Sequence, residues 1–147
     1  MVYAIIGENC SGKSRLAEAI QRSLGAELVS GRDWLRMAKS ESSAAALFRK
    51  KLEAAVSGDD IVYVIAEPSL LSLLPEGAVR ILVSADLDTI KERFRARMRG
   101  NLPAPVERML ERNHGIFDGC RCDYRFDGVT GDAAALCEAL KERADKT

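Results

Sequence analysis

A glycine-rich loop between a predicted strand and a predicted helix constrains the fold of this chain more than any other feature. Residues 2–6 (VYAII) are apolar and mostly β-branched, which is typical of a short buried strand. Residues 7–14 (GENCSGKS) match the pattern G-x-x-x-x-G-K-S/T. Apolar residues then recur at helical spacing as far as Leu24. A strand, a glycine loop and a helix in direct succession predict a backbone turn that binds phosphate.

Each part of the loop has an expected role in holding a nucleotide phosphate. Glycines let the backbone curl without a Cβ in the way, and the N-terminus of the following helix favours an anion. Lys13 is expected to reach the β- and γ-phosphates, and the Ser14 hydroxyl is expected to bind Mg²⁺. The predicted cofactor-binding residues of the loop are Gly7, Glu8, Asn9, Cys10, Ser11, Gly12, Lys13 and Ser14.

The composition indicates one globular domain that spans residues 1–147. Lys and Arg together number 22, as do Asp and Glu, so no overall charge directs the chain to nucleic acid or to a membrane. No apolar run approaches the length of a membrane span, and the first predicted strand begins at residue 2, so we expect no leader sequence. We therefore expect a cytoplasmic protein that is a monomer or a small homo-oligomer.

The four cysteines are expected to be reduced thiols, because disulfides are rare in cytoplasmic proteins of this size. Cys120 and Cys122 form a C-x-C pair, and the single histidine, His114, precedes them by six residues. A zinc site usually needs four ligands at more regular spacing. We therefore do not expect a metal at this cluster.

Apolar runs alternate with helical patterns along the rest of the chain. Residues 61–66 (IVYVIA) are almost entirely apolar, which is typical of a central strand covered on both faces. Residues 40–43 are polar and are expected to break the structure before a helix that starts at Ala44. The predicted strands after the first are 27–30, 61–66, 79–84 and 124–127. This alternation predicts a three-layer α/β/α fold with about five parallel strands and ligands at their carboxyl ends.

Polar residues at the predicted strand ends are candidates for catalysis. Asp33 follows the second strand and Glu67 ends the third, and either carboxylate is suited to hold Mg²⁺ or to accept a proton. The alternative roles are helix capping for Asp33 and a solvated strand end for Glu67. Arg36 is a candidate to bind the phosphate or carboxylate of an acceptor. Trp34 belongs either to the core, which we favour, or to the wall of an acceptor pocket.

Two arginine-rich helices flank a breaker segment. Arginines spaced four apart share a helix face, and their forked donors match the charge of a transferring phosphoryl group. Glycine and proline in residues 100–105 predict a small mobile lid at about residues 98–112. The alternative is a solvated basic face paired with neighbouring glutamates. The arginines concerned are Arg93, Arg95, Arg97, Arg99, Arg108 and Arg112.

Together these features resemble the nucleoside-monophosphate-kinase-like branch of P-loop kinases, which includes adenylate, cytidylate and shikimate kinases. Residues 29–36 (VSGRDWLR) are similar to the adenylate kinase segment that carries a Gly-Asp and a Leu-Arg. This resemblance implies that Asp33 lies near the metal and that Arg36 contacts the acceptor phosphate. Two departures concern the acceptor side: residues 66–68 (AEP) replace an Asp-Gly-Phe-Pro-Arg sequence, and the chain is short.

The segment from residue 79 to residue 127 resembles the end of cytidylate-type kinases. By this resemblance Arg93 and Arg97 lie on the ATP side, whereas Arg108 and Arg112 approach the transferring phosphate. Cys10 stands where kinases of this branch often carry a further glycine, and Glu8 adds a negative charge near the anion site.

These observations predict an ATP-dependent phosphotransferase with Mg²⁺, acting on a nucleoside monophosphate or a similar metabolite. One alternative is a nucleotide-binding module or slow ATPase, with Glu67 as the hydrolytic base. Another is a regulatory domain with a vestigial loop. The predicted metal ligands are Ser14 and Asp33, and the predicted substrate-binding residues are Asp33 and Arg36. The predicted catalytic residues are Lys13, Asp33, Glu67, Arg108 and Arg112.

Overall fold

A computed structural model describes residues 1–146 as one five-stranded sheet in which all paired strands are parallel. The strand order across the sheet is β2-β3-β1-β4-β5. All five predicted strands are confirmed, and β3 ends one residue earlier than predicted. The strands are β1 (Val2–Ile6), β2 (Glu27–Ser30), β3 (Ile61–Ile65), β4 (Val79–Ser84) and β5 (Tyr124–Asp127).

Within residues 1–146, four α-helices and two short 3₁₀ helices lie between strands, and a fifth α-helix follows the last strand. The 3₁₀ helices, Asp33–Met37 and Pro68–Leu73, follow β2 and β3. The α-helices are α1 (Lys13–Leu24), α2 (Glu41–Ala55), α3 (Leu87–Arg97), α4 (Ala104–Asn113) and α5 (Ala133–Asp145).

The predicted break at residues 40–43 is wrong. Ser40 is the N-cap of α2, and its hydroxyl accepts a hydrogen bond from the Ser43 main-chain nitrogen at 3.2 Å. Serine disfavours helix interiors but satisfies the free N–H groups of a helix start. The polar run therefore begins the helix at Glu41 instead of interrupting it.

Apolar side chains cover both faces of the sheet. On one face, Tyr63 of β3 packs with Phe48 and Leu52 of α2. On the other face, Leu16 of α1 and Leu140 of α5 pack against the strands. The predicted three-layer α/β/α fold is thereby confirmed. Since the strands are parallel, their carboxyl ends meet at one edge of the sheet, where the glycine-rich loop also lies.

A third apolar cluster sits above that edge. Cys10 of the glycine-rich loop packs there with Ile90 of α3 and Leu110 of α4. Helix α4 is therefore seated on α3 and on the loop. The structure presents one arrangement of residues 98–112, and the mobility expected of this segment stays a prediction.

Candidate nucleotide site

The loop between β1 and α1 (residues 7–14), which we call the phosphate cradle after its predicted role, has two residues in a left-handed backbone conformation. Gly12 precedes α1 with a φ of 106°, and Cys10 has a φ of 65°. Both values lie in the left-handed region, which glycine enters at low cost and other residues rarely adopt. No side chain of residues 1–146 caps the start of α1. The first N–H groups of this helix are therefore available to an anion.

Lys13 lies inside this cradle. Its side chain is buried, and its ammonium donates to the main-chain carbonyl of Glu8 over 3.0 Å. Burial lowers the pKa of Lys13, and the positive charge of Arg97 acts in the same direction. A negative charge between Lys13 and Arg97 would raise the pKa of Lys13 and so stabilise its charged form. The arrangement of the two cations therefore favours an anion at this position.

Two glycines allow main-chain segments to approach the loop closely. A Cβ on Gly7 would lie 2.6 Å from the Ser11 hydroxyl and 2.7 Å from the Val83 carbonyl oxygen. A Cβ on Gly128 would lie 1.7 Å from the Ser11 carbonyl oxygen. Gly7 is the first glycine of the sequence motif, whereas Gly128 lies in a loop that the sequence analysis did not single out. The only sequence signal for Gly128 is its place directly after the last predicted strand.

A cavity of about 520 Å³, called the nucleotide cavity below after its predicted role, opens beside the phosphate cradle. Lys13 and Ser14 lie at its cradle end. Arg93 and Arg97 of α3 contribute to one wall, and Val129 of the loop after β5 contributes to another. This volume and mixed lining suit the ribose and base of a nucleotide. A larger cavity of about 650 Å³ lies near Asp60, at the amino ends of β2 and β3 and away from the cradle.

The two predicted catalytic carboxylates, Asp33 and Glu67, are not among the described residues that line the cavity beside the phosphate cradle. Glu67 accepts a hydrogen bond from Arg32 Nε over 3.2 Å, and Arg32 Nη2 forms an ion pair with the same carboxylate oxygen at 3.1 Å. Arg32 also donates to Glu41 over 3.1 Å. Sequence reasoning missed Arg32, although its place directly after the second strand was visible. Asp33 lines a separate cavity of about 240 Å³ together with Arg36.

Trp34 belongs to the core, as favoured from the sequence, and it also lines the cavity that contains Asp33 and Arg36. It is buried, and its indole nitrogen donates to the Tyr63 hydroxyl over 3.2 Å. The Tyr63 hydroxyl in turn donates to the Gly31 carbonyl over 2.6 Å. These bonds fix the chain at the end of β2, next to Asp33.

The arginines predicted on α4 lie at the protein surface. Arg108 and Arg112 are both exposed, and neither is among the described residues that line the nucleotide cavity. The neighbouring glutamates are held by a lysine of α3: Lys91 lies 3.3 Å from Glu107 and 2.9 Å from Glu111. The roles predicted for the two arginines stay predictions.

The side chain of Glu8 contacts the turn that follows α4. Its carboxylate lies 3.1 Å from the His114 ring nitrogen Nδ1 and accepts a hydrogen bond from the Gly115 main-chain nitrogen over 3.1 Å. The structure therefore connects the phosphate cradle to the end of α4 through a polar contact. It also connects them through the apolar packing of Cys10.

Of the two predicted Mg²⁺ ligands, Ser14 lies at the cavity beside the phosphate cradle and Asp33 does not. Ser14 is exposed at the cavity, beside Lys13, and a hydroxyl oxygen is a suitable Mg²⁺ ligand. Asp33 does not line this cavity. Across residues 1–146, no group of three or more His, Cys, Asp or Glu side chains is placed to hold a metal. All four cysteines are free thiols in the structure.

No protein-family model matches the chain, and no curated protein matches it. Several solved structures align over nearly the whole chain. A shikimate kinase from Bacteroides thetaiotaomicron has 15% sequence identity and a TM-score of 0.61, covering 99% of this chain and 98% of that chain. A gluconokinase from Sinorhizobium meliloti has 16% identity and a TM-score of 0.59, covering 97% and 96%.

An uncharacterized protein from Eubacterium ventriosum aligns at 16% identity with a TM-score of 0.67, covering 100% of this chain and 99% of that chain. These similarities establish the fold class predicted from the sequence. The chain has the three-layer fold of the P-loop kinases. Each helix of residues 1–146 is too short or too polar to traverse a lipid bilayer.

Proposed function

We propose that the chain is an ATP-dependent phosphotransferase that acts on a small-molecule acceptor. One observation carries this proposal: Lys13 lies buried at the start of α1 within an uncapped, left-handed glycine loop. A buried lysine beside free N–H groups is suited to bind a polyphosphate. The kinase fold of the neighbouring structures supports the choice of phosphoryl transfer.

In this proposal, catalysis consists of positioning and charge neutralisation. The loop amides and Lys13 hold the phosphates, and Arg97 adds positive charge beside them. Mg²⁺, held by the Ser14 hydroxyl, would supply further neutralisation of phosphate charge. Arg108 and Arg112 are proposed to approach the transferring group when residues 98–112 close over the site.

The acceptor is proposed to bind at the ends of β2 and β3. Asp33 and Glu67 are the candidate carboxylates there, and Arg36 is the candidate anion-binding residue for a nucleoside monophosphate or a similar metabolite. The pairing of Glu67 with Arg32 favours a structural role for Glu67. Asp33→Asn should therefore lower kcat more than Glu67→Gln does. The opposite order would assign the catalytic carboxylate to Glu67.

The decisive variant is Lys13→Ala. We expect it to abolish phosphoryl transfer while the domain stays folded, because Lys13 carries the buried charge of the cradle. Lys141→Ala is the matched control, since Lys141 lies on α5 and pairs with Glu138 at 3.7 Å. Transfer retained by Lys13→Ala would overturn the proposal.

An acceptor panel separates phosphotransferase from ATPase. The purified chain would be incubated with MgATP and with nucleoside monophosphates, sugar acids and polyols in turn. A phosphorylated acceptor supports the proposal. Production of ADP and free phosphate alone would assign a slow ATPase. Absence of any MgATP-dependent rise in melting temperature would indicate a vestigial loop.

A further inference from the structure

Glu8 is an acidic residue in a loop that is built to bind anions. Its side chain is only 13% exposed. An ionised carboxylate with so little access to water is unfavourable unless hydrogen bonds compensate it. Its charge would also repel a triphosphate held by the same loop. The position of this carboxylate therefore needs a physical explanation.

The structure supplies two partners for the carboxylate, both directly after α4. His114 Nδ1 lies 3.1 Å from one carboxylate oxygen, and the Gly115 main-chain nitrogen donates to the other over 3.1 Å. Gly115 has a φ of 83°, a conformation that favours glycine, and it turns the chain at this point. We refer to Glu8, His114 and Gly115 as the Glu8 clasp.

The clasp keeps the charge of Glu8 out of the nucleotide cavity. Asn9 lines that cavity, but Glu8 is not among the described residues that do so. The main-chain carbonyl of Glu8 accepts the hydrogen bond from Lys13 over 3.0 Å. Glu8 therefore contacts Lys13 through its main-chain carbonyl, and it contacts the turn after α4 through its side chain.

Apolar packing reinforces the same connection. Cys10, two residues after Glu8, is 4% exposed and packs with Leu110 of α4. Arg112 precedes His114 by two residues on the same helix end. The clasp therefore anchors the helix end that carries Arg112 to the phosphate loop.

We propose that Glu8 is a positioning residue that fastens the end of α4 to the phosphate loop and transmits occupancy of the loop to residues 104–115. Its kinetic consequence rests on the proposed phosphotransferase function. The contact itself does not, because it involves only groups of the chain. A binding measurement can therefore test the clasp without turnover.

Amide hydrogen exchange, with and without MgATP, measures the proposed coupling. In the wild-type chain we expect MgATP to slow exchange both in residues 9–15 and in residues 104–115. In Glu8→Ala the effect should persist in residues 9–15 and disappear in residues 104–115. Without nucleotide, the Gly115 amide should exchange about tenfold faster in that variant. Glu8→Gln should retain the MgATP-dependent protection of residues 104–115, because its amide oxygen still accepts from Gly115.

Glu18→Ala is the matched control, since Glu18 lies on the exposed face of α1 and pairs only loosely with Arg22, at 3.9 Å. If Glu8→Ala retains wild-type MgATP-dependent protection of residues 104–115, the proposal is overturned. For a phosphotransferase, the same proposal predicts a roughly tenfold lower kcat for Glu8→Ala. The KM for ATP should change by less than about threefold. Wild-type chain that binds MgATP without transferring phosphate would overturn the phosphotransferase function, while the exchange comparison would still decide the clasp.

Discussion

Arg93 and Gly128 are joined by a hydrogen bond of 2.7 Å, from a guanidinium nitrogen to a main-chain carbonyl. The other terminal nitrogen of the same guanidinium donates to the Cys10 carbonyl over 3.0 Å. A single side chain of α3 thus connects the phosphate loop with the loop after β5. Hydrogen bonds from a charged donor are stronger than neutral ones. Arg93 therefore holds two walls of the nucleotide cavity at a fixed separation.

Arg93→Ala should weaken nucleotide binding, because both loops lose this common support. We expect the affinity for MgATP to fall roughly tenfold and the free energy of unfolding to fall by about 1–3 kcal/mol. Calorimetric titration and chemical denaturation measure the two quantities. Arg95→Ala is the control, since Arg95 bonds to Glu92 at the surface of the same helix. Equal MgATP affinities for the two variants would contradict the role given to Arg93.

Gly128→Ala should separate the loop after β5 from the phosphate loop. The added Cβ would lie 1.7 Å from the Ser11 carbonyl oxygen and 3.1 Å from the Ser84 carbonyl oxygen, and main-chain atoms cannot yield cheaply. We expect Gly128→Ala to have a lower melting temperature than the wild type. We also expect MgATP no longer to raise the melting temperature of this variant. Gly119→Ala is the control, because nothing lies within 4 Å of the Cβ it would add. A normal MgATP-dependent rise in Gly128→Ala would be the contrary result.

The sequence predicted the sheet because the signals for its strands are local. The apolar runs at residues 2–6 and 61–66 can each be seen without knowledge of their neighbours. The turn of the glycine-rich loop at residues 7–14 was also predictable, since its residues are contiguous, whereas its phosphate binding stays a prediction. Ser40 was misjudged because a polar run predicts a break and a helix cap equally well. Its hydrogen bond to the Ser43 nitrogen decides between them.

The rest of the site depends on pairs that are distant in sequence. Arg32 meets Glu67 across 35 residues, and Arg93 meets Cys10 across 83 residues. No spacing rule connects such pairs, because their contact is set by strand order and helix packing. The charge of Glu8 illustrates the same limit. Its position in an anion-binding loop was visible in the sequence, but its partner His114 lies 106 residues away.

Cys10→Gly should be more stable than Cys10→Ala, which reverses the usual effect of glycine. Cys10 has a φ of 65°, and a residue with a Cβ pays roughly 1 kcal/mol or more for this conformation. Both substitutions lose the packing of the thiol against Ile90 and Leu110. Only glycine also relieves the backbone strain. Urea denaturation of the two variants measures the order, and a more stable alanine variant would show that the loop is not strained at Cys10.

Tyr63→Phe should destabilise the chain and change its response to alkali. The substitution leaves the buried Trp34 indole without its acceptor, and it removes the bond to the Gly31 carbonyl. Loss of these bonds should lower the free energy of unfolding by about 1–3 kcal/mol at neutral pH. Urea denaturation at neutral pH measures this part of the effect.

The alkaline part follows from the pKa of Tyr63, which burial raises from 10.0 to about 12. A group whose pKa is raised on folding confers stability that is complete below the unfolded pKa and is lost as the pH rises through the folded pKa. Wild-type stability should therefore fall between about pH 10 and pH 12, and Tyr63→Phe should fall less steeply. Tyr3, whose pKa burial also raises to about 12, contributes to the same fall in stability. Identical slopes for wild type and Tyr63→Phe in urea denaturation across this range would show that the Tyr63 hydroxyl titrates normally in the folded chain.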